Sequence, residues 1–301
     1  VIEPVLEAYR KSWQRMTTLL FSPFQIQTYL MFVLIFFLAE CGSIGAQSNQ
    51  IDLGSFPDQP TEIEPLAVGI MVVVAVAVLL GVVMGMALLA GALFVSSRAT
   101  MMAIDGLRQG APRWDAWTLH ARAANALWRF RVAVMVAGVG WVALVIGGAV
   151  VAALVLPYAV SSIEVVKLGK LGMMGVLLLA VLGPLILSSL VDWLAKDLAA
   201  PILMVTDTTV VGAFRLLWGA ARFEPATLFV YVALRVALAL VVGMVSFPFM
   251  LIFCCFFLIP GVRHAALLPV LVFQRGLSVY WLATLDDRLA PLVPLDSELA
   301  A

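Results

Sequence analysis

Between Glu64 and Arg98 the chain carries no charged residue, and Leu66 to Val95 within that stretch is entirely apolar or glycine. As a helix this segment would extend about 45 Å, more than the ~30 Å hydrocarbon core of a bilayer. Water solvates such a surface poorly, and only lipid lets a helix be apolar all round. Apolar blocks of spanning length recur at 24–45, 132–156, 171–191, 226–258 and 265–285, which with 66–97 predicts six spans. Hydrophobic residues make up 63% of the chain and charged residues 12%, a balance no soluble fold class uses. The expected fold is all-α, a polytopic membrane helical bundle forming one integral membrane domain over residues 1–301. The second block keeps its helical pattern as far as Arg108, so it predicts a single helix of about 60 Å that projects beyond the bilayer. Pro269, Gln274 and Arg275 interrupt the sixth block.

The formal net charge is zero, so only the placement of charges is informative. In the six-span arrangement Arg10, Lys11, Arg15, Arg98, Arg108, Arg113, Arg122, Arg129, Arg131, Lys196, Arg215, Arg222 and Arg288 fall on one side of the membrane. Lys167, Lys170 and Arg263 fall on the other. Cations of short loops are retained in the cytoplasm. Both termini are therefore expected to be cytoplasmic in a multi-pass protein of a prokaryotic inner membrane, with the acidic 47–65 loop outside. The first twenty residues scatter Glu3, Glu7, Arg10, Lys11 and Arg15 and do not follow a signal-peptide pattern. Cys41, Cys254 and Cys255 read as small core residues.

Three segments between the blocks have helical amphipathicity. Over 2–20 the residues Leu6, Tyr9, Trp13, Met16 and Leu20 recur every three or four positions. Over 113–131 Trp117, Ala121, Ala124 and Trp128 oppose Arg122 and Arg129, and over 208–222 Phe214, Leu217 and Trp218 oppose Arg215 and Arg222. Each contains Ala followed five residues later by Trp: Ala8/Trp13, Ala123/Trp128 and Ala213/Trp218. The pattern predicts a unit used three times, a cytoplasmic amphipathic helix followed by a helical hairpin. Such helices place Trp13, Trp128 and Trp218 at the headgroup boundary and Arg129, Arg215 and Arg222 against lipid phosphates, or else cap the bundle from inside.

Ionisable groups inside a span mark candidate sites, because each costs at least ~2.5 kcal/mol to insert. Arg235 and Arg275 each lie about ten residues into a block. Both are expected near the midplane, where they would hold an anionic headgroup or solute or pair with Glu40, Asp192 or Asp197. Asp192, Lys196 and Asp197 otherwise read as juxtamembrane solvation where the fourth span ends. His120 and His264 fall on opposite sides and form no joint site. No Gly-x-Ser-x-Gly, phosphate-binding loop or His-Glu-x-x-His motif occurs, so no catalytic residue, metal or cofactor is expected. Gly81, Gly85 and Gly91 read as a small-residue packing stripe.

The segments Asp197-Leu-Ala-Ala-Pro-Ile-Leu-Met204, Ala213-Phe-Arg-Leu-Leu-Trp218, Leu258-Ile-Pro260 and Leu268-Pro-Val-Leu-Val-Phe-Gln-Arg275 resemble a known group. They are similar to uncharacterised six-helix prokaryotic membrane proteins related to the membrane domain of some glycerophosphoryl diester phosphodiesterases. The resemblance implies a six-span inner-membrane module and gives it no activity. The expected function is a non-catalytic accessory or assembly subunit of a membrane complex, or a lipid-binding module. Membrane lipids and other membrane subunits are the expected partners, and nucleic acid is not. The alternative is a small-solute or lipid transporter that uses Arg235 and Arg275.

Overall fold

The charge-free stretch lies inside one helix, α3 (Pro65–Gln109), whose 45 residues give a length of about 67 Å. It ends at Gly110, whose φ of 86° is the left-handed turn that closes helices and that glycine adopts without strain. The computed structural model describes residues 3–22, 24–40, 65–159, 180, 182–206, 208–223, 225–252 and 262–292. Around α3 stand α1 (Glu3–Phe21), α2 (Ile26–Glu40), the single turn α4 (Ala116–Leu119) and α5 (Ala121–Ala159). Then come α6 (Leu182–Val205), α7 (Val210–Phe223), α8 (Pro225–Ile252) and α9 (Val262–Leu285), with a 3-10 turn at Asp287–Leu292. The fold is all-α. Cys41, Cys254, Cys255, most of the acidic loop and the beginning of the fourth block fall outside the described residues.

Among the described residues four helices are long and apolar enough to cross a membrane: α3, α5, α8 and α9. α6 and α7, which meet at 98°, count as a fifth if taken together as one bent span. α2 is a shorter apolar helix of 15 residues. The protein is therefore a multi-pass membrane protein.

Two expected amphipathic helices are built differently from their sequence pattern. The 113–131 segment is not a separate helix: after the turn at Ala116–Leu119, α5 starts at Ala121 and runs unbroken into its apolar part. Its inward face is Ala124, Leu127 and Arg131, and the charge of Arg131 does not end the helix because a carboxylate meets it. α1 does form, but Leu6, Tyr9 and Trp13 of the expected stripe point outward, while Val5, Ala8, Ser12, Arg15, Met16 and Leu20 are buried. The cause is a close approach to α9. Ser12 Oγ donates to the Phe273 carbonyl at 2.6 Å, and a Cβ on Gly276 would lie 2.5 Å from that hydroxyl. Only small residues allow this spacing. Arg15 then donates to the carbonyls of Leu107 and Arg108, at 3.0 and 3.1 Å, placing a cation at the negative end of α3.

The glycines of α3 follow the same logic in reverse. Gly81, Gly85 and Gly91 have nothing within 4 Å of a would-be Cβ, so they are not a packing stripe; Gly106, which faces the Phe32 ring, is the close-approach glycine. α9 runs through Pro269 without a break. Proline removes the hydrogen bond to the carbonyl four residues back, and that carbonyl, Ala265, accepts from the Tyr29 hydroxyl at 2.6 Å instead.

Burial divides the helices into two zones. One half of the bundle packs around Met101, Met102, Ile104, Leu198, Ile202 and Trp281. In the other half, no residue of α3 before Leu93, of α5 after Arg131, of α6 before Ala195 or of α8 after Arg235 is buried among those described. Leu79, Leu88, Val136, Leu144, Ile186, Leu187, Leu240 and Met244 are exposed there, as apolar helix faces are where lipid is the solvent.

Candidate intramembrane charge site

The boundary between the two zones is where the charges collect. On α6 the reason begins in the backbone. The Ala200 N–H bonds five residues back, to Ala195, opening a π turn over Ala195–Ala199. The next donor in that register would be residue 201, a proline with no N–H. The Lys196 carbonyl, left without a backbone donor, accepts from Arg275 Nη1 at 2.6 Å. The widened turn also directs the Asp197 side chain into the bundle.

Asp197 joins two arginines. Its Oδ1 accepts from Arg275 Nη1 at 2.9 Å, and its Oδ2 accepts from Arg235 Nη2. Arg235, Arg275 and Asp197 are only 6%, 8% and 4% exposed. Arg235 arrives on the buried stripe Thr227, Tyr231, Arg235 of α8, spaced by four. A second pair lies alongside: Arg131 Nε donates to Asp192 Oδ1 at 2.5 Å, and Lys196 Nζ meets the other oxygen of Asp192 at 2.8 Å. Arg131 Nη1 also donates to the hydroxyls of Ser96 and Ser97 on α3, at 3.0 and 3.2 Å. Ser96 in turn donates to the Ala39 carbonyl on α2. The network thus ties α2, α3, α5, α6, α8 and α9 together. Arg235 Nε and Arg131 Nη2 have no hydrogen-bond partner among the described residues.

A cavity of about 310 Å³ opens beside this network. Glu40, Ser189, Trp193, Arg235, Gln274 and Arg275 are part of its wall, as are Asp192, Lys196 and Asp197. The wall itself carries three cations, Lys196, Arg235 and Arg275, and three carboxylates, Glu40, Asp192 and Asp197. Arg131, which pairs with Asp192 from outside the wall, brings the local cluster to four cations against three carboxylates, His264 left aside.

The sequence candidates divide accordingly. Arg235, Arg275, Asp197, Asp192 and Glu40 come together around the cavity. Glu40 also holds His264, at 3.0 Å between Oε2 and Nε2. The reading of Asp192, Lys196 and Asp197 as solvated residues beyond the span is corrected: α6 continues to Val205, and Lys196 and Asp197 are buried. Trp13 and Trp218 are exposed, as are Arg129, Arg215 and Arg222. Trp128 instead packs edge-on against Phe94 and donates from Nε1 to the Ala90 carbonyl at 2.9 Å, fastening α5 to α3. Arg131 and Lys196 were not among the sequence candidates. The Asp192/Lys196 spacing of four was visible, but nothing local distinguishes a buried pair at that spacing from a solvated one.

The two histidines sit in separate settings. His120 Nε2 lies 3.2 Å from Asp105 Oδ1, away from the Glu40/His264 pair. Among the described residues no three His, Cys, Asp or Glu side chains converge as metal ligands.

No curated protein and no solved structure matches this chain. The likeness to the phosphodiesterase membrane domain therefore rests on the quoted segments alone. A family pattern does match, over residues 5–292, from the first turn of α1 to the last turn after α9, and the chain belongs to that family, a family of unknown function (DUF7544).

Proposed function

We propose that the protein binds an anion within the membrane and passes it on, as a transporter of a small anionic solute or an anionic lipid, with Arg235 and Arg275 in the path. The observation that carries this reading is the cavity on which both arginines border. A purely structural use of buried charge ends in closed, fully paired contacts. Here two guanidinium groups, those of Arg235 and Arg275, border open space, the arrangement that anion recognition by arginine requires. In this reading the six apolar blocks cross the membrane as three hairpins, with the cationic loops and both termini in the cytoplasm, and α1 and α7 lie along the inner surface. The protein is then not an enzyme. The test is anion flux into liposomes reconstituted with the purified protein. Arg235→Gln should abolish a flux that Arg113→Gln, at an exposed loop position, leaves intact. Equal flux in the two variants would sink the proposal.

A second reading, an accessory or assembly subunit, is favoured by one observation. Only 6% of the apolar window of α5 is buried, against 61% for α9, which leaves α5 a face for a partner helix. Recovery of a stoichiometric membrane partner in mild detergent would support it, and a homogeneous protein running alone would not.

A further inference from the structure

Resting on the anion-binding reading above, we infer that the anion is the phosphate head of an anionic lipid, which enters sideways from the bilayer while its acyl chains stay outside the cavity. Three observations lead there. The first is position. The cavity lies where burial ends on α6 and α8, and beyond it Leu185, Ile186 and Leu190 of α6 and Val236 and Leu240 of α8 are exposed. An occupant of the cavity therefore has exposed apolar helix faces next to it, which suit acyl chains and offer nothing to a hydrated ion.

The second is size. Small-molecule pockets run from about 300 to 1,000 Å³, and 310 Å³ sits at the bottom of that range. It takes a phosphate with a small polar substituent but cannot take the chains as well. The third is chemistry. Arg235 and Arg275, both on the wall, present guanidinium groups, whose planar fork suits phosphate oxygens. Gln274 and Ser189 on the wall add polar side chains for the substituent on the phosphate.

The experiment uses the full-length protein in detergent and measures binding calorimetrically with three probes: short-chain phosphatidylglycerol, short-chain phosphatidylcholine and inorganic phosphate. Phosphatidylglycerol should bind, with inorganic phosphate failing to compete at the same concentration and phosphatidylcholine at least tenfold weaker. Arg235→Gln should weaken phosphatidylglycerol by about tenfold, as expected for one charge-assisted hydrogen bond. Because that variant alters a buried network, Ser189→Trp provides a second test: it narrows the wall from an exposed position and should weaken the lipid while leaving thermal stability unchanged. Competition by inorganic phosphate at equal potency would overturn the lipid assignment and leave the anion-binding function standing. Equal binding of phosphatidylcholine would overturn the assignment to an anionic lipid. If neither phosphatidylglycerol nor inorganic phosphate binds, both proposals fall.

Discussion

Replacing Asp197 by Asn removes a charge while keeping the shape of the side chain. In the native protein its two oxygens accept from Arg275 and Arg235. Its loss changes the local count from four cations against three carboxylates to four against two, so the excess of positive charge doubles. Breaking a buried ion pair by removing one partner costs about 3–5 kcal/mol, because the remaining charge is left in a medium that cannot solvate it. Two arginines share this carboxylate, which places the cost at the upper part of that range. A chain of this size loses roughly 2 °C of melting temperature per kcal/mol, so Asp197→Asn should melt about 10 °C below the native protein. Thermal unfolding in detergent, followed by intrinsic tryptophan fluorescence, measures this. The compensating variant is Asp197→Asn with Arg235→Met, which returns the count to three against two and should recover about half of the loss. A melting temperature for Asp197→Asn within about 1 °C of native, or a double variant less stable than the single one, would refute the account of Asp197 as the charge that holds α6, α8 and α9 together.

Other consequences are equally direct. Tyr29→Phe should cost about 1 kcal/mol by orphaning the Ala265 carbonyl, and much of that should vanish in a Pro269→Ala background, where the backbone supplies its own donor; a double-mutant cycle by thermal unfolding measures the coupling. Gly276→Val should force α1 off α9 against Ser12, at about 1–3 kcal/mol, seen as faster proteolytic cleavage within residues 3–21; Gly81→Val, whose site is open, should have no such effect. The Lys11 ammonium beside Glu7 holds that carboxyl below the ordinary glutamate range. The pair's contribution is thus present above the unfolded-state value and lost as the pH falls through the lower folded one. Both side chains are largely exposed, so Lys11→Met should return the Glu7 titration, read by carboxyl-carbon NMR, to the ordinary range while leaving the melting temperature unchanged.

What could be read directly from the amino acids was whatever depends on long apolar runs. The described parts of the blocks at 66–97, 226–258 and 265–285 are helical, and the single long helix through Val95 to Arg108 is present, because lipid solvation dictates helix wherever the chain is apolar for long enough. Faces were harder. On α1 the large residues looked like the inner stripe, but the contact with α9 selects small ones, and size complementarity belongs to the partner as much as to the helix itself. The glycines of α3 misled for the same reason. The charge site was half legible. Arg235, Arg275 and the acidic candidates were named from depth in their blocks, and the two segments Asp197–Pro201 and Phe273–Arg275, quoted separately for their resemblance, meet in space. Arg131 was missed because nothing in its neighbourhood announces Asp192, sixty-one residues away along the chain.

The docking of α1 on α9 also sets an order on biogenesis. Ser12 and its acceptor Phe273 are 261 residues apart, so α1 leaves the ribosome long before the helix that supplies its main surface. Until α9 arrives, Ala8, Ser12 and Arg15 have no seat, and the carbonyls at the end of α3 lack their cation. The same delay leaves Asp197 without Arg275. A nascent chain halted before α9 thus lacks both contacts, and the arrival of that one helix seats α1 and completes the partners of Asp197 together.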